Sequence, residues 1–173
     1  MVAMKRRSFE DMNCSVAQAL EIVGEWWTLL ILRDAFVGIR RFDEFQERLG
    51  ISRNVLTTRL DALVENGVLQ RVQYSEHPPR DEYRLTPKGR GLWTVLHALR
   101  EWGDEWVVGE DKASIVMLHH DHQSTTELHC SQCGEKVGMR DVRLVPGPGA
   151  DETTTLPPRV IAQGQAATSV QAT

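Results

Sequence analysis

Gly50-Ile51-Ser52-Arg53-Asn54-Val55-Leu56-Thr57-Thr58-Arg59-Leu60 is the stretch on which the fold turns. Gly50 stands where a helix carrying Phe42, Phe45 and Leu49 at helical spacing has to stop. Ile51 and Ser52 then read as a hydrophobic staple and an N-cap, with Leu56 at the position of the staple's partner. From there Leu56, Leu60, Leu63 and Val64 make one apolar stripe, which Asn66-Gly67 brings to a stop. Two helices joined by so short a glycine-bearing turn predict a helix-turn-helix. At about 100° per residue, Asn54 and Thr58 fall opposite the stripe, and Arg53 and Thr57 lie on its rim.

Working upstream, Ser15 and Gln18 have the spacing of a capping box and start a first helix over about 16–23, which Gly24 ends. The run from Trp26 to Phe36 is too long and too rich in Leu, Ile and Trp for an average strand, and predicts a buried helix closed near Gly38. Working downstream, Val68 to Tyr74 and Glu82 to Leu85 have strand content, separated by His77-Pro78-Pro79-Arg80. They predict a hairpin with a long tip, which supplies a wing. Thr86-Pro87 places a cap before a proline at the first helical position, opening one long helix to about Val108. Leu92, Val95, Leu96, Leu99, Trp102 and Trp106 give that helix a stripe broader than one small core needs.

The fold expected is therefore α+β and mainly α. A short arm (1–13) precedes a winged helix-turn-helix unit with a long dimerisation helix (14–110). A small appendage rich in His, Cys and polar residues follows (111–145), and then a tail of Pro, Gly, Ala, Thr and Gln whose composition predicts disorder (146–173).

The net charge of −4 argues against a chain coated in positive potential. Locally, between Arg40 and Arg90, ten bases face eight acids, so any phosphate-binding face depends on how the bases are grouped. No apolar run approaches a membrane span, since Trp26 to Ile31 meets Arg33 and Asp34 almost at once. The three cysteines do not form the even framework of a secreted domain, and Lys5, Arg6 and Arg7 are followed by Glu10 and Asp11 where a signal sequence has an apolar core. A soluble cytoplasmic chain is expected.

The outward residues of the second helix suit a major groove. Arg and Asn make bidentate contacts with guanine and adenine, and Thr meets a thymine methyl or an acceptor. Ser52, Arg53, Asn54, Thr57, Thr58 and Arg59 form the candidate DNA-reading set, with Arg80 at the wing tip as a phosphate or minor-groove contact. The plain alternative is a solvated amphipathic face, which the following hairpin makes less favoured.

Three segments in order, Gly24-Glu25-Trp26-Trp27-Thr28-Leu29-Leu30-Ile31-Leu32-Arg33, Ile51 to Leu60, and Pro78-Pro79-Arg80-Asp81-Glu82-Tyr83-Arg84-Leu85-Thr86, resemble the HxlR-type regulators, relatives of the MarR-like winged-helix proteins. The resemblance runs from about Cys14 to Trp106. It implies a homodimer on a roughly palindromic double-stranded DNA operator, with the helix from Ser52 in the major groove. Physically, a single half-site gives limited affinity, and the stripe from Leu92 to Trp106 is a natural self-complementary surface.

The resemblance also places at Cys14 a cysteine that serves some members as a redox or electrophile sensor; the alternative is a small apolar staple before the Ser15 cap. Cys130-Ser131-Gln132-Cys133-Gly134 has the spacing of a zinc knuckle, and His120 with His122 would complete a tetrahedral set. Longer family members carry a similar appendage ending in Gly-Pro-Gly, matched by Gly147-Pro148-Gly149, although the second Cys-x-x-Cys pair is missing here. A reversible dithiol switch or a small metal-free hairpin remain open for the same cysteines. The function expected is a DNA-binding transcriptional regulator, in the first place a repressor, and not an enzyme. Its rivals are a winged helix that binds protein instead of DNA, and a metal or thiol enzyme built on Cys14, His119, His120 or His122.

Overall fold

A computed structural model describes residues 8–154. The expected arm (1–13) and tail (146–173) lie partly outside these described residues. Among the described residues two compact units are present, one of residues 19–126 and one in which residues 8–18 associate with residues 127–154. A first helix, α1, spans Ser15–Val23.

The larger unit is built on α2 (Trp26–Phe36), α3 (Phe42–Leu49) and α4 (Arg53–Glu65), with the boundaries that their end signals predict. Gly50 ends α3 in the left-handed conformation (φ 63°), and its N–H reaches the Gln46 carbonyl. Two residues later Ser52 caps α4, its Oγ accepting the Val55 N–H at 3.4 Å. Ile51 and Leu56 are both buried, as the staple requires. Ile31, Leu32, Phe45, Leu56, Leu60 and Leu63 interlock in the centre of the core. Asp34, also fully buried, lies 2.9 Å from Arg33 Nη2 and 3.5 Å from Arg48 Nε, and so ties α2 to α3 electrostatically.

The wing is tighter than the sequence suggested. β1 (Leu69–Glu76) and β2 (Pro79–Leu85) pair antiparallel from Leu69↔Leu85 out to Glu76↔Pro79, leaving only His77 and Pro78 at the turn. The long tip is absent because the ladder continues past a bulge between Gln73 and Ser75, and Ser75 Oγ donates to the Pro78 carbonyl at 3.0 Å. Tyr83 N–H also donates to the Arg40 carbonyl (2.8 Å), stitching β2 to the segment before α3.

The single long helix after the wing is a further correction. Thr86 does cap Pro87, its Oγ1 accepting the Gly89 N–H at 3.1 Å, but α5 (Pro87–Arg90) lasts one turn. A break at Gly91-Leu92 follows, then α6 (Trp93–Gly103), then a π-helical turn over Asp104–Val108. Gly89 and Gly91 weaken helix propensity where the chain changes to short-range bonds, Leu92 N–H reaching the Gly89 carbonyl. Two short strands, β3 (Leu118–His119) and β4 (His122–Gln123), form a minimal hairpin. Among the described residues no single helix is long and apolar enough to cross a membrane.

Candidate nucleic-acid interface

Every third or fourth residue of α4 is committed to the core through Leu56, Leu60 and Leu63, which turns Arg53, Asn54, Thr57 and Thr58 to the surface. Their side chains differ in freedom. Asn54 and Thr57 are exposed and, among the described residues, their side chains have no hydrogen-bond or ion-pair partner. Thr58 Oγ1 donates to the Asn54 carbonyl at 2.9 Å, so its methyl is the group left to meet a ligand. Ser52 Oγ is engaged in the cap. Arg53 lies with its guanidinium 4.7 Å from the Phe42 ring centroid and 3.9 Å from Asp43, which orients it without burying it. Arg59 turns to the flank, where Nη2 meets Glu25 Oε2 at 3.1 Å beside the start of α2.

Asp61 has the same outward direction as Asn54 and would oppose a phosphate, but it is ion-paired with Arg71 of β1. The pair cancels the Asp61 carboxylate and fixes the wing strand against the C-terminal half of α4. Arg80 is exposed, but it sits in the ladder opposite Ser75, one residue inside the end of the hairpin.

Two exposed bases escaped the sequence reading. Arg40 and Arg41 immediately precede α3, and the Arg41 guanidinium lies 4.7 Å from the Tyr74 ring centroid of the wing. Glu44 Oε2 accepts the N–H groups of Arg41 (3.1 Å) and Arg40 (3.3 Å), and these bonds lower its carboxyl pKa. The signal in the sequence was an adjacent Arg pair directly before a helix.

The thiols and imidazoles are placed as follows. Cys14 is exposed and acts as the N-cap of α1: its carbonyl accepts the Gln18 N–H at 2.9 Å, so Ser15 is already helical. An exposed thiol does not serve as an apolar staple. The Gln18 amide reaches back to the carbonyls of Phe9, Glu10 and Met12, in place of the reciprocal capping box. His119, His120 and His122 gather around the β3–β4 turn, with ring centroids 4.2 to 6.4 Å apart and His120 at φ 54°. Cys130 and Cys133 occupy a separate turn and are unbridged. Among the described residues no three His, Cys, Asp or Glu side chains are grouped so as to hold a metal ion.

Residues 22–111 match the HxlR-like helix-turn-helix family. An HTH-type transcriptional regulator of Mycobacterium tuberculosis is 47% identical over 137 residues, covering 78% of this chain and 87% of the relative. One of Synechocystis is 37% identical over 98 residues, covering 56% and 73%. Among solved structures, PA1607, described as a candidate transcription factor, superposes with a TM-score of 0.73 at 35% identity, covering 82% of this chain and all of its own. The redox regulator HypR in its reduced form gives 0.50 at 31% identity, covering 53% and 92%. Family match, sequence identity and superposition agree with the geometry of α3, α4 and the wing, and the chain belongs to the HxlR-like helix-turn-helix family of transcriptional regulators.

Proposed function

We propose that the chain is a homodimeric repressor that recognises a two-fold symmetric operator, each α4 entering the major groove. The observation that carries this reading is the outward face of α4. Asn54 and Thr57 are free to bond base edges, Arg53 is oriented at the first turn, and the opposing carboxylate of Asp61 is neutralised by Arg71. Arg40, Arg41 and Arg80 then serve as phosphate contacts around the wing, fixing register without reading sequence.

Dimerisation rests on α6 and the π-helical turn. Leu92 and Leu96 pack onto the core, whereas Val95, Leu99, Trp102 and Trp106 are exposed, the last two at 57% and 68%. An apolar stripe of this kind on one helix is suited to a second copy of itself.

The test is an R53A/N54A/T57A triple variant titrated, at fixed salt, against a duplex selected by the parent protein from genomic fragments. Specific affinity is expected to fall by at least ~100-fold, to the level of random duplex, since each base contact is worth about 1–3 kcal/mol. Unchanged discrimination between operator and random duplex would remove α4 from the role assigned to it, and favour a protein-binding winged helix.

The exposed Cys14 thiol, with the redox-regulator neighbour, favours a second reading in which DNA binding responds to electrophiles. Release of operator on quinone treatment should then be lost in C14S. A parent protein that holds its operator through the treatment would refute this.

A further inference from the structure

His97 of α6 sits in a small constellation that the DNA-binding reading does not use. Its side chain is nine-tenths buried, at 10% exposure, and its ring stacks on Trp93 with centroids 5.8 Å apart and 15° between planes. On one edge Nε2 faces Glu101 Oε1 at 3.6 Å. On the other, Nδ1 lies 3.0 Å from the thioether sulfur of Met117, inside the roughly 3.5 Å of ordinary non-bonded contact. All of these residues belong to the unit of residues 19–126. Met117 itself is half-buried, and its carbonyl accepts the Ser124 N–H at 2.8 Å across the base of the β3–β4 hairpin.

The Glu101 carboxylate decides which ring nitrogen carries the proton. Both of its oxygens act as acceptors, since they take the Thr126 N–H at 2.9 and 3.1 Å, and Oε1 is the atom that faces Nε2. A carboxylate is a far stronger acceptor than a thioether, so the neutral ring carries its proton on Nε2 and keeps a lone pair on Nδ1. That lone pair is held against the Met117 sulfur. A thioether that attacks an electrophilic oxygen becomes positive as it reacts, and a base fixed beside it offsets that charge in the transition state. Burial and the stack on Trp93 keep the imidazole from turning away.

We propose that Met117 is an oxidation site for hydroperoxides, with His97 as the neighbouring base that quickens the reaction. The sulfur lone pair forms an S–O bond to one peroxide oxygen as the O–O bond breaks. The other oxygen leaves with that electron pair and takes up the hydroxyl proton, giving water or an alcohol. Sulfur is oxidised by two electrons to the sulfoxide and the peroxide is reduced by two, with no further reactant. The product sets a strong acceptor against an unprotonated Nδ1, which parts Met117 from His97 at the base of the hairpin, and sulfoxide reductases reverse the change. The site needs neither α4 nor Cys14, so it stands or falls separately from the DNA-binding and thiol readings.

The test treats the full chain with excess hydrogen peroxide and follows each methionine by peptide mass spectrometry. Met139, 87% exposed, is the internal reference, and by exposure alone Met117 would be the slower of the two. Met117 is expected instead to oxidise at least ~5-fold faster, a barrier lower by about 1 kcal/mol. In urea the two should oxidise at equal rates, a comparison that needs no variant. The order should reverse in H97F, which keeps a ring to stack on Trp93 but has no nitrogen, and whose far-UV circular dichroism should match the parent's. A folded parent in which Met117 is no faster than Met139, an advantage retained in H97F, or an advantage that survives unfolding would each overturn the assignment.

Discussion

Replacing Gly89 by alanine tests how the wing is seated on the helical core. A Cβ built there would lie 2.2 Å from the Val68 carbonyl oxygen and 3.0 Å from Leu85 Cδ2, where ordinary contact begins at 3.4 Å. The obstacle is backbone, so α5 or the start of the wing has to move by about 1 Å. That carbonyl is also in use: it accepts the Thr86 N–H at 3.1 Å and the Thr86 hydroxyl at 3.2 Å, and the same hydroxyl accepts the Gly89 N–H. Overpacking of about 1–3 kcal/mol, together with one or two weakened hydrogen bonds of about 1 kcal/mol each, gives a loss of roughly 2–5 kcal/mol. For a unit of this size the melting temperature should fall by roughly 10–25 °C. Urea unfolding followed by circular dichroism measures the loss directly. G67A is the comparison: Gly67 has φ 65° with open space around its Cβ position, so alanine there meets only the left-handed backbone penalty of about 1–2 kcal/mol. If G89A unfolds at the parent's urea concentration, or costs no more than G67A, the close approach of α5 to the wing is not as described.

D34A should cost about 1–3 kcal/mol in urea unfolding, less than the loss usual when the surviving partner is buried, because Arg33 and Arg48 are each half-exposed and regain water. R71A leaves the Asp61 carboxylate uncancelled on the α4 face and should weaken operator binding about 5–10-fold, with D61N/R71A regaining most of it in a double-mutant cycle. Hydrogen bonds from Thr153 and then Asn13 lower the Asp151 pKa to about 2. Its folded value lies below the unfolded one, so the stability it lends is present above about pH 4 and is lost as the pH falls toward 2. In N13A its titration, followed by carboxyl NMR, should move up toward the ordinary aspartate range.

The helices of the DNA-reading unit were legible because their ends are written locally. Gly50, Ser52 and Gly67 act within one turn of their own positions, and the Leu56, Leu60, Leu63 stripe needs no partner to be recognised. The wing's existence was equally local, but its length was not: the Pro78-Pro79 pair looked like loop, and only the cross-strand register extends β1 and β2 past the bulge. The α5–α6 break falls at Gly91-Leu92, where two nearby glycines lower helix propensity inside an apolar periodicity that continues through them and so masks the stop. Charge pairing was hidden for the same reason. Asp61 and Arg71 are ten residues apart on different elements, and Arg59 meets Glu25 beside the start of α2, so neither pairing is written in the periodicity of α4.

The distribution of tryptophans has an optical consequence. Of the five, Trp26, Trp93, Trp102 and Trp106 are exposed, Trp26 at 90%, and only Trp27 leans on the core. An isolated chain should therefore emit at the long wavelengths of water-facing indole and be readily quenched by iodide. Covering α6 with a second copy would shift Trp102 and Trp106 to the blue while Trp26 stays accessible. Dilution of the unlabelled protein, followed by its intrinsic emission alone, then separates assembly from DNA contact without any added probe.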